Sequence, residues 1–391
     1  MLTRMKVLNF KALRHVDIEL RERNVLIGPN KAGKSTLLQV LNTLTQLMNG
    51  VDINRTFGGE LGFRQWLWKG HSDGDIEIEI WGIDPKSVPD ETIRTLQFHY
   101  LITIGLDALR NVSIKREILE VAEKPFDKSL TLIEAELGIG KSRHLNGETL
   151  FENPGSPGKP FLSYEIPGWA GNELRKYIAS WHFYEFRPEL TKLTAAQASA
   201  QPFLDTYGAQ LSAWLHTFQV NFPDAFARVV EVAKEAFPEI EALSTPVSQA
   251  GTTFLTSKEH GFNTPINVFQ LSDGELKFLQ LLSVIFSPLP VSVVCIEEPE
   301  NHLHPRLLDL VVETADRVRI ENESHGSQVF VTTHSPFLVD RLDPEDVLFV
   351  EKIDGATKCT RATHKTNLKQ MLEEGELSFG RLWYSGALGG V

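Results

Sequence analysis

The chain has 391 residues, of which 42% are hydrophobic and 23% are charged, and its formal net charge is −12. This is the composition of an ordinary globular protein, long enough to form one large core or two domains. The acidic balance argues against a protein whose whole surface binds nucleic acid, although residues 1–36 hold eight Lys or Arg against three Asp or Glu.

The cysteines and the N-terminus predict a cytoplasmic location. Only Cys295 and Cys359 occur, and Cys295 lies inside an apolar strand pattern, so we interpret it as a core residue and expect no disulfide. No apolar run is long enough to span a bilayer, and the first residues lack the apolar segment of a signal peptide. We therefore expect no membrane partner.

The first predicted elements are three strands and a helix. Alternating apolar residues predict strands over 5–10 and 15–20, and a short apolar run predicts a strand over 25–27. A helical pattern then runs from residue 36 to about residue 48.

The segment between the third strand and this helix fits G-x-x-x-x-G-K-[ST]. It consists of Gly28, Pro29, Asn30, Lys31, Ala32, Gly33, Lys34, Ser35 and Thr36. The glycines allow backbone N–H groups to surround phosphates, and the helix N-terminus adds partial positive charge. Lys34 would reach the β- and γ-phosphates, and Ser35 would hold Mg²⁺. The strand–loop–helix context predicts that the chain binds ATP or GTP, rather than forming a simple glycine-rich turn.

The middle of the chain is first strand-rich and then helical. A Gly-rich break at 58–62 precedes predicted strands over 75–80, 95–104 and 112–121. Residues 138–160 are rich in Gly, Pro, Ser and Asn and predict a mobile loop. Residues 171–243 carry helical periodicity, and strands are expected again at 252–256 and 266–269. No repeat or sustained heptad pattern is present.

A second motif follows the apolar run 291–296, which predicts a buried parallel strand. The strand leads into Glu297 and Glu298. In a Walker-B arrangement the first carboxylate holds Mg²⁺ and the second orients and deprotonates the attacking water. An exposed acidic turn is the alternative interpretation. Glu at the first position, where Asp is usual, leaves the details of coordination open.

A third strand, predicted over 329–333, leads to His334. Three strands thus deliver Gly28, Glu297 and His334 at their carboxyl ends, the edge of a parallel sheet where ligands bind. His334 stands where a γ-phosphate sensor would be placed.

Ser272, Gly274 and Glu275 begin a further helical pattern. Alone, Ser272 with Glu275 is a capping box. Five motifs follow one another along the chain: the phosphate loop, L-S-x-G-E, the acidic strand end, E-N-x-L-H-P and T-H-S. Together, in this order, they resemble the SMC/RecF-type branch of the ABC ATPases. Within that branch the chain is similar to the ATPase part of overcoming-lysogenization-defect (OLD)-like proteins and to stand-alone AAA/ABC-like ATPases of anti-phage defence. The matching segments are 9–11, 28–35, 271–275, 296–305 and 332–336.

The resemblance implies an α/β fold, an ABC-type P-loop head with a mixed or parallel sheet flanked by helices. Residues 1–110 and 246–350 would form the head, 111–245 an inserted α+β or helical subdomain without a long coiled coil, and 351–391 a tail. It also implies a head-to-tail homodimer around ATP and Mg²⁺. Ser272, Gly274 and Glu275 would then bind nucleotide from the partner, 300–304 would be the D-loop, and His334 the switch histidine.

In this scheme Lys34, Glu298 and His334 are catalytic, and Ser35 and Glu297 hold the metal. Two departures from the family pattern stand out. Lys31 occupies a position that is commonly small, and the Q-loop glutamine is not identifiable, with Gln65 and the segment 181–188 as competing candidates.

The predicted function is a Mg²⁺-dependent ATPase that controls a separate effector, such as a nuclease or toxin, in anti-phage defence. The effector is expected on another chain because only about forty residues follow Val350. The alternative is a RecF-like repair or chromosome-maintenance ATPase that binds DNA directly. A transporter energy subunit is disfavoured by the long separation of Ser35 from Ser272, and a non-enzymatic scaffold by the two intact carboxylates. The effector is expected to bind residues 171–243. The aromatic pair at 383–384 either joins this surface from a flexible tail or, as the alternative interpretation, docks onto the chain's own head.

Overall fold

The computed structural model describes residues 1–68, 74–83, 95–124, 128–153, 156–194, 196–289, 291–321, 327–365, 368–373 and 377–387. The strands are β1 (Leu2–Phe10), β2 (Leu13–Glu19), β3 (Arg23–Ile27), β4 (Ile76–Ile83), β5 (Thr95–Leu106), β6 (Val112–Lys124), β7 (Lys128–Glu136), β8 (Ile139–Arg143), β9 (Thr149–Asn153), β10 (His182–Tyr184), β11 (Ala196–Gln197), β12 (Ile240–Ser244), β13 (Thr252–Thr253), β14 (Thr256–Glu259), β15 (Ile266–Asn267), β16 (Val293–Glu297), β17 (Gln328–Thr333), β18 (Val347–Ile353) and β19 (Ala356–Arg361).

The helices are α1 (Lys34–Met48), α2 (Ile53–Phe57), α3 (Gly59–Trp66), α4 (Gly171–Ala179), α5 (Pro188–Leu193), α6 (Leu211–Asn221), α7 (Pro223–Ala236), α8 (Asp273–Ile285), α9 (Pro305–Glu321), α10 (Pro336–Val339), α11 (Leu368–Glu373) and α12 (Phe379–Tyr384). The longest helix in the described part of the chain, α9, has 17 residues.

A six-stranded sheet, in the order β10-β16-β17-β3-β18-β19, carries the predicted motifs. Its first five strands are parallel, and β19 returns antiparallel to β18. Val25, Leu26 and Ile27 of β3 are all buried because both faces of the sheet are covered, as expected for parallel strands. The carboxyl ends of β3, β10, β16 and β17 therefore meet at one edge.

An antiparallel sheet of eight strands, in the order β2-β1-β4-β5-β6-β7-β8-β9, forms the second layer. Alternation along β4 buries Ile76, Ile78 and Ile80 on one face. Helix α1 lies between the two sheets. Leu37 and Leu41 belong to one core with residues of both sheets, and ten of its fifteen residues are buried.

The other face of the six-stranded sheet is covered by two further cores. One joins Val294 of β16 to α6, α7, α8 and α9. The other joins Val25 and Ile27 of β3 to the C-terminal helices through Leu382 and Trp383. Helices α6 and α7 thus bury their apolar residues in one core with β16, whereas Tyr177 and Ile178 of α4 belong to the core around α1.

Most predicted elements are confirmed, including the strands at β1, β2, β3, β4, β5, β6, β16 and β17 and the helix α1. Three predictions are wrong. The Gly-rich break at 58–62 lies within the helix pair α2–α3, because Gly58 ends one helix in a left-handed conformation and directly caps the next. The described part of 138–160 contains the hairpin β8–β9 rather than a mobile loop, since β8 pairs with β9 on one side and with β7 on the other.

The third concerns the flexible tail, where the alternative interpretation, docking onto the head, is confirmed. Leu382 and Trp383 are buried within α12 and pack on the head, whereas Tyr384 is exposed. The aromatic pair therefore does not form a flexible end, although residues 388–391 lie outside the described residues. The predicted boundary at 110/111 falls in the turn between β5 and β6, two paired strands of one sheet. The division into domains stays a prediction.

Candidate nucleotide-binding site

The phosphate loop joins β3 to α1 and is enclosed from behind by backbone. Gly28 and Gly33 adopt φ values of 151° and 116°, which side chains disfavour. A Cβ on Gly28 would overlap the carbonyl oxygen of Val350, and a Cβ on Gly33 would overlap the hydroxyl of Thr357. Glycine is required at both positions by conformation and by space.

Lys34 is the first residue of α1 and is buried in this loop. Its ammonium donates to the carbonyl oxygens of Gly28 at 2.9 Å and Pro29 at 3.1 Å. It also lies 2.7 Å from Nε2 of His334. Burial lowers the pKa of the Lys34 ammonium to about 8, while Glu298 opposes the shift. The phosphate loop, Lys34 and His334 are thus in direct contact.

Ser35 and Glu297 form a pair of hard oxygen donors. The Ser35 hydroxyl donates to Oε2 of Glu297 at 2.5 Å, and Ser35 is exposed at the surface of the site. Burial raises the pKa of the Glu297 carboxyl, and the hydrogen bond from Ser35 opposes this. A hydroxyl beside a carboxylate is the donor set that Mg²⁺ takes from a protein when phosphates supply further ligands. These residues therefore fit a magnesium ion.

Glu298 follows directly and faces His334. Its Oε1 lies 3.6 Å from Nε2 of His334, and its Oε2 accepts a hydrogen bond from Nδ2 of Asn301 at 2.8 Å. The backbone of Glu298 has a φ of 45°. It is anchored because its N–H donates to the carbonyl oxygen of Thr332 at 2.9 Å and its carbonyl oxygen accepts from Nζ of Lys277 at 3.3 Å. The turn holds the carboxylate at the strand ends.

His334 is held through its backbone by Glu300. Oε1 of Glu300 accepts from the N–H of His334 at 2.6 Å and from the Thr333 hydroxyl at 2.8 Å. Burial, together with the neighbouring Lys34 ammonium, lowers the pKa of His334. The imidazole is therefore kept neutral near pH 7.

The signature residues lie at the N-terminus of α8. Ser272 Oγ accepts from the N–H of Glu275 at 3.2 Å, and the N–H of Ser272 donates to Glu275 at 2.8 Å, so the predicted capping box is present. The segment contacts 300–304 of the same chain. Oδ2 of Asp273 is 4.0 Å from Nδ1 of His302, and the His302 carbonyl oxygen lies 3.0 Å from the position of a Cβ on Gly274.

The structure thus separates the predicted residues into two groups. Lys34, Ser35, Glu297, Glu298 and His334 come together at one edge of the sheet. Among the described side chains, no hydrogen bond or ion pair joins Ser272 or Glu275 to the phosphate loop, and Lys31 is exposed with a φ of 64°.

One residue of the site was predicted only as part of the candidate segment 181–188. Tyr184 of β10 pairs with Ile296 of β16, so Glu185 emerges beside Glu297. Both line a cavity of 280 Å³ together with Glu298, Lys277 and His302. Glu185 thus lies within the candidate segment 181–188 at the carboxyl end of a strand of this sheet, whereas Gln65 is exposed on α3, which follows no strand of this sheet. A three-residue strand within a helical region gives too weak a pattern to reveal it.

Known proteins resemble this chain in sequence and in fold. A family model described as "AAA domain, putative AbiEii toxin, Type IV TA system" matches residues 23–340. The chain belongs to this family. It is 21% identical over 410 residues to an ATP/GTP phosphatase of Helicobacter pylori (strain ATCC 700392 / 26695), covering 97% of this chain and 100% of that relative.

Two solved structures share the fold. An SMC head bound to the C-terminal winged-helix domain of ScpA has a TM-score of 0.52 at 12% identity, covering 92% of this chain and 97% of that one. An SMC head with an extended coiled coil, bound to the C-terminal domain of ScpA derived from Pyrococcus furiosus, has a TM-score of 0.50 at 11% identity, covering 95% and 98%.

Family, fold and site together identify an ATP hydrolase with an SMC-head-like fold. In the described residues, no helix is both long and apolar enough to cross a membrane.

Proposed function

We propose that this protein hydrolyses ATP to ADP and phosphate in a Mg²⁺-dependent, head-to-tail dimer, and that its nucleotide state controls a separate effector in the cytoplasm. The observation that carries the proposal is the division of the site. Lys34, Glu297 and Glu298 converge in one chain, while Ser272 is exposed and its described hydrogen bonds are to Glu275 rather than to these residues.

The chemistry follows from the side chains at the strand ends. The loop N–H groups and Lys34 bind the phosphates, and Ser35 and Glu297 hold Mg²⁺, which when bound neutralises charge on the transferred phosphoryl group. Glu298 orients a water for in-line attack on the γ-phosphorus and accepts its proton as the P–O bond to ADP breaks. Neutral His334 contacts the γ-phosphate, and Glu185 orients polar groups around the metal.

The partner subunit completes the site from its own α8. Ser272 and Gly274 bring a helix N-terminus, whose partial positive charge suits a γ-phosphate. Because Asp273 and Gly274 contact His302 in the same chain, movement of α8 is transmitted to the segment that follows Glu298.

Mixing two inactive variants tests the composite site. In a heterodimer of Lys34→Ala with Ser272→Arg, one site combines intact Lys34 and Glu298 with an intact Ser272, so activity should return toward one working site per dimer. A mixture of Lys34→Ala with Glu298→Gln is the matched control, because each of its sites carries a defect, and it should stay inactive. Equal activity of the two mixtures, in dimers shown to be mixed, would contradict the composite site.

The effector role is supported by the family, whose description refers to a toxin of a toxin–antitoxin system. We infer a role in anti-phage defence with a nuclease or toxin as effector. Cells carrying the gene with its neighbours should resist phage infection, and Lys34→Ala should remove that resistance at equal protein level. Unchanged resistance with Lys34→Ala would overturn the link between nucleotide and effector.

Direct DNA binding of the RecF type is less well supported. Two of the basic side chains on β1 are already paired, Arg4 with Asp17 at 2.5 Å and Lys6 with Glu79 at 2.5 Å. Paired cations release fewer counterions from DNA. Binding to duplex DNA at physiological salt, weakened by Arg4→Ala and Lys6→Ala, would favour this second function instead.

A further inference from the structure

The hairpin β18–β19 forms the wall behind the phosphate loop. Its two strands are joined by Asp354 and Gly355, both with positive φ, and such a two-residue turn holds a hairpin tightly. β18 pairs in parallel with β3, which places the backbone of Val350 against Gly28. The loop is therefore shaped by a segment more than 300 residues away.

Thr357, the second residue of β19, makes the closest polar contact of this wall with the loop. Its N–H donates to the carbonyl oxygen of Ala12 at 2.9 Å, and its side-chain hydroxyl donates to the carbonyl oxygen of Ala32 at 2.6 Å. Thr357 and Ala32 are both buried. Loss of this donor would leave a buried carbonyl with a substantial desolvation cost, so the contact determines the orientation of the peptide group.

The peptide group between Ala32 and Gly33 transmits that orientation to the site. In a trans peptide the C=O and N–H bonds point in opposite directions. With the Ala32 carbonyl directed outward to Thr357, the Gly33 N–H is directed to the inner side of the loop, where phosphates bind. The hydroxyl also occupies the space in which a Cβ on Gly33 would lie, so the two residues are mutually constrained.

We propose that Thr357 is a positioning residue for nucleotide binding, because its hydroxyl holds the Ala32–Gly33 peptide in the phosphate-binding orientation. The inference rests on the proposed function in one respect, that ATP binds this loop. Thr357 reaches no phosphate itself and acts only through the backbone of Ala32.

The test compares Thr357→Val, which keeps the shape and removes the hydroxyl, with Thr357→Ser, which keeps the hydroxyl. Calorimetric titration with MgATP and MgADP should show a Kd about tenfold weaker for Thr357→Val, the loss expected for one buried hydrogen bond. Thr357→Ser should stay within about twofold of wild type. Binding stoichiometry should remain unchanged, and turnover should show a raised KM with little change in kcat.

Several outcomes would overturn the proposal. Wild-type Kd in Thr357→Val, or equal weakening by Val and Ser, would show that the hydroxyl does not position the loop. If Thr357→Val does not fold, Thr357→Ala removes the same hydroxyl without adding an atom and carries the same expectation. The variant Lys34→Ala distinguishes a failure of the Thr357 proposal from a failure of the proposed ATP binding at this loop. If wild type binds ATP no better than Lys34→Ala, nucleotide binding at the loop is itself wrong.

Discussion

The ammonium of Lys34 lies 2.7 Å from Nε2 of His334, which joins the phosphate loop after β3 to the residue that follows β17. An ammonium has only donors, so Nε2 must act as an acceptor and the ring proton must reside on Nδ1. The lowered pKa of His334 is consistent with this neutral tautomer. The two residues form one electrostatic unit within which a phosphate can replace the imidazole as the acceptor.

ATP affinity should decline at alkaline pH. Burial lowers the pKa of Lys34 to about 8, so the free protein loses this charge above pH 8. The Kd for MgATP should then weaken by up to about tenfold per pH unit between pH 8 and 9.5. Calorimetric titration across this range measures it.

Two variants test whether the loss of MgATP affinity at alkaline pH comes from Lys34. Lys34→Arg keeps its charge at all these pH values and should give a flat profile, whatever its absolute affinity. Lys277 has a pKa lowered to a similar value, yet Lys277→Met should retain the decline. A decline that persists in Lys34→Arg would assign it to another group.

Glu298→Gln should abolish turnover while preserving binding. A general base contributes roughly 10²–10⁴-fold to rate, so kcat should fall by that factor with the Kd for ATP nearly unchanged. The amide can still accept from Asn301, so the turn should remain folded. With ATP the variant should accumulate as a dimer in light-scattering chromatography.

Glu313→Gln is the matched control, because Glu313 is exposed on α9 and should leave kcat at the wild-type value. Wild-type hydrolysis by Glu298→Gln would exclude Glu298 as the base.

The free energy of unfolding should increase with pH because the buried Lys277 loses its proton more readily in the folded protein than in the unfolded chain. Burial lowers its pKa to about 8 from 10.5, so the unfolded chain binds more protons between these values and the free energy of unfolding increases with pH. Lys277→Met should remove a rise of about 3 kcal/mol between pH 8 and 10.5. Urea unfolding at several pH values tests this.

The exposed Lys234→Met should reproduce the wild-type curve. If Lys277→Met also follows that curve, the ammonium is not held in a desolvated position.

Neighbouring aromatic residues in the C-terminal helix should behave very differently. Trp383 is 6% exposed and packs in the core behind β3, so Trp383→Ala should cost about 3–5 kcal/mol. Tyr384 is 74% exposed, and Tyr384→Ala should change stability by less than about 0.5 kcal/mol. A lower urea unfolding midpoint for Trp383→Ala than for Tyr384→Ala, with unchanged slopes, would establish the contrast. Equal midpoints for the two variants would contradict the burial of Trp383.

The sequence predicted what depends on local pattern. The residue spacing within 28–35 predicts a phosphate loop, and a pair of carboxylates after an apolar run predicts a metal and water site, whatever the rest of the fold. Period-2 alternation identified β4 and β6. Glu185 was not identified because β10 has three residues and is strand only through pairing with β16. Thr357 carries no signal, since its role comes from a contact across the fold. The β8–β9 hairpin was missed because turn-forming residues dominate its composition.

The position of β3 between β17 and β18 sets the order in which this protein becomes functional during synthesis. Its neighbours in the sheet are encoded about 300 residues later, so at roughly 5–20 residues per second β3 remains unpaired on the ribosome for tens of seconds. The contacts of Gly28 with Val350 and of Gly33 with Thr357 can form only when residues 350 and 357 have emerged from the ribosome. A nascent or truncated chain therefore lacks the wall of its ATP site, and fragments of the protein should not compete for nucleotide.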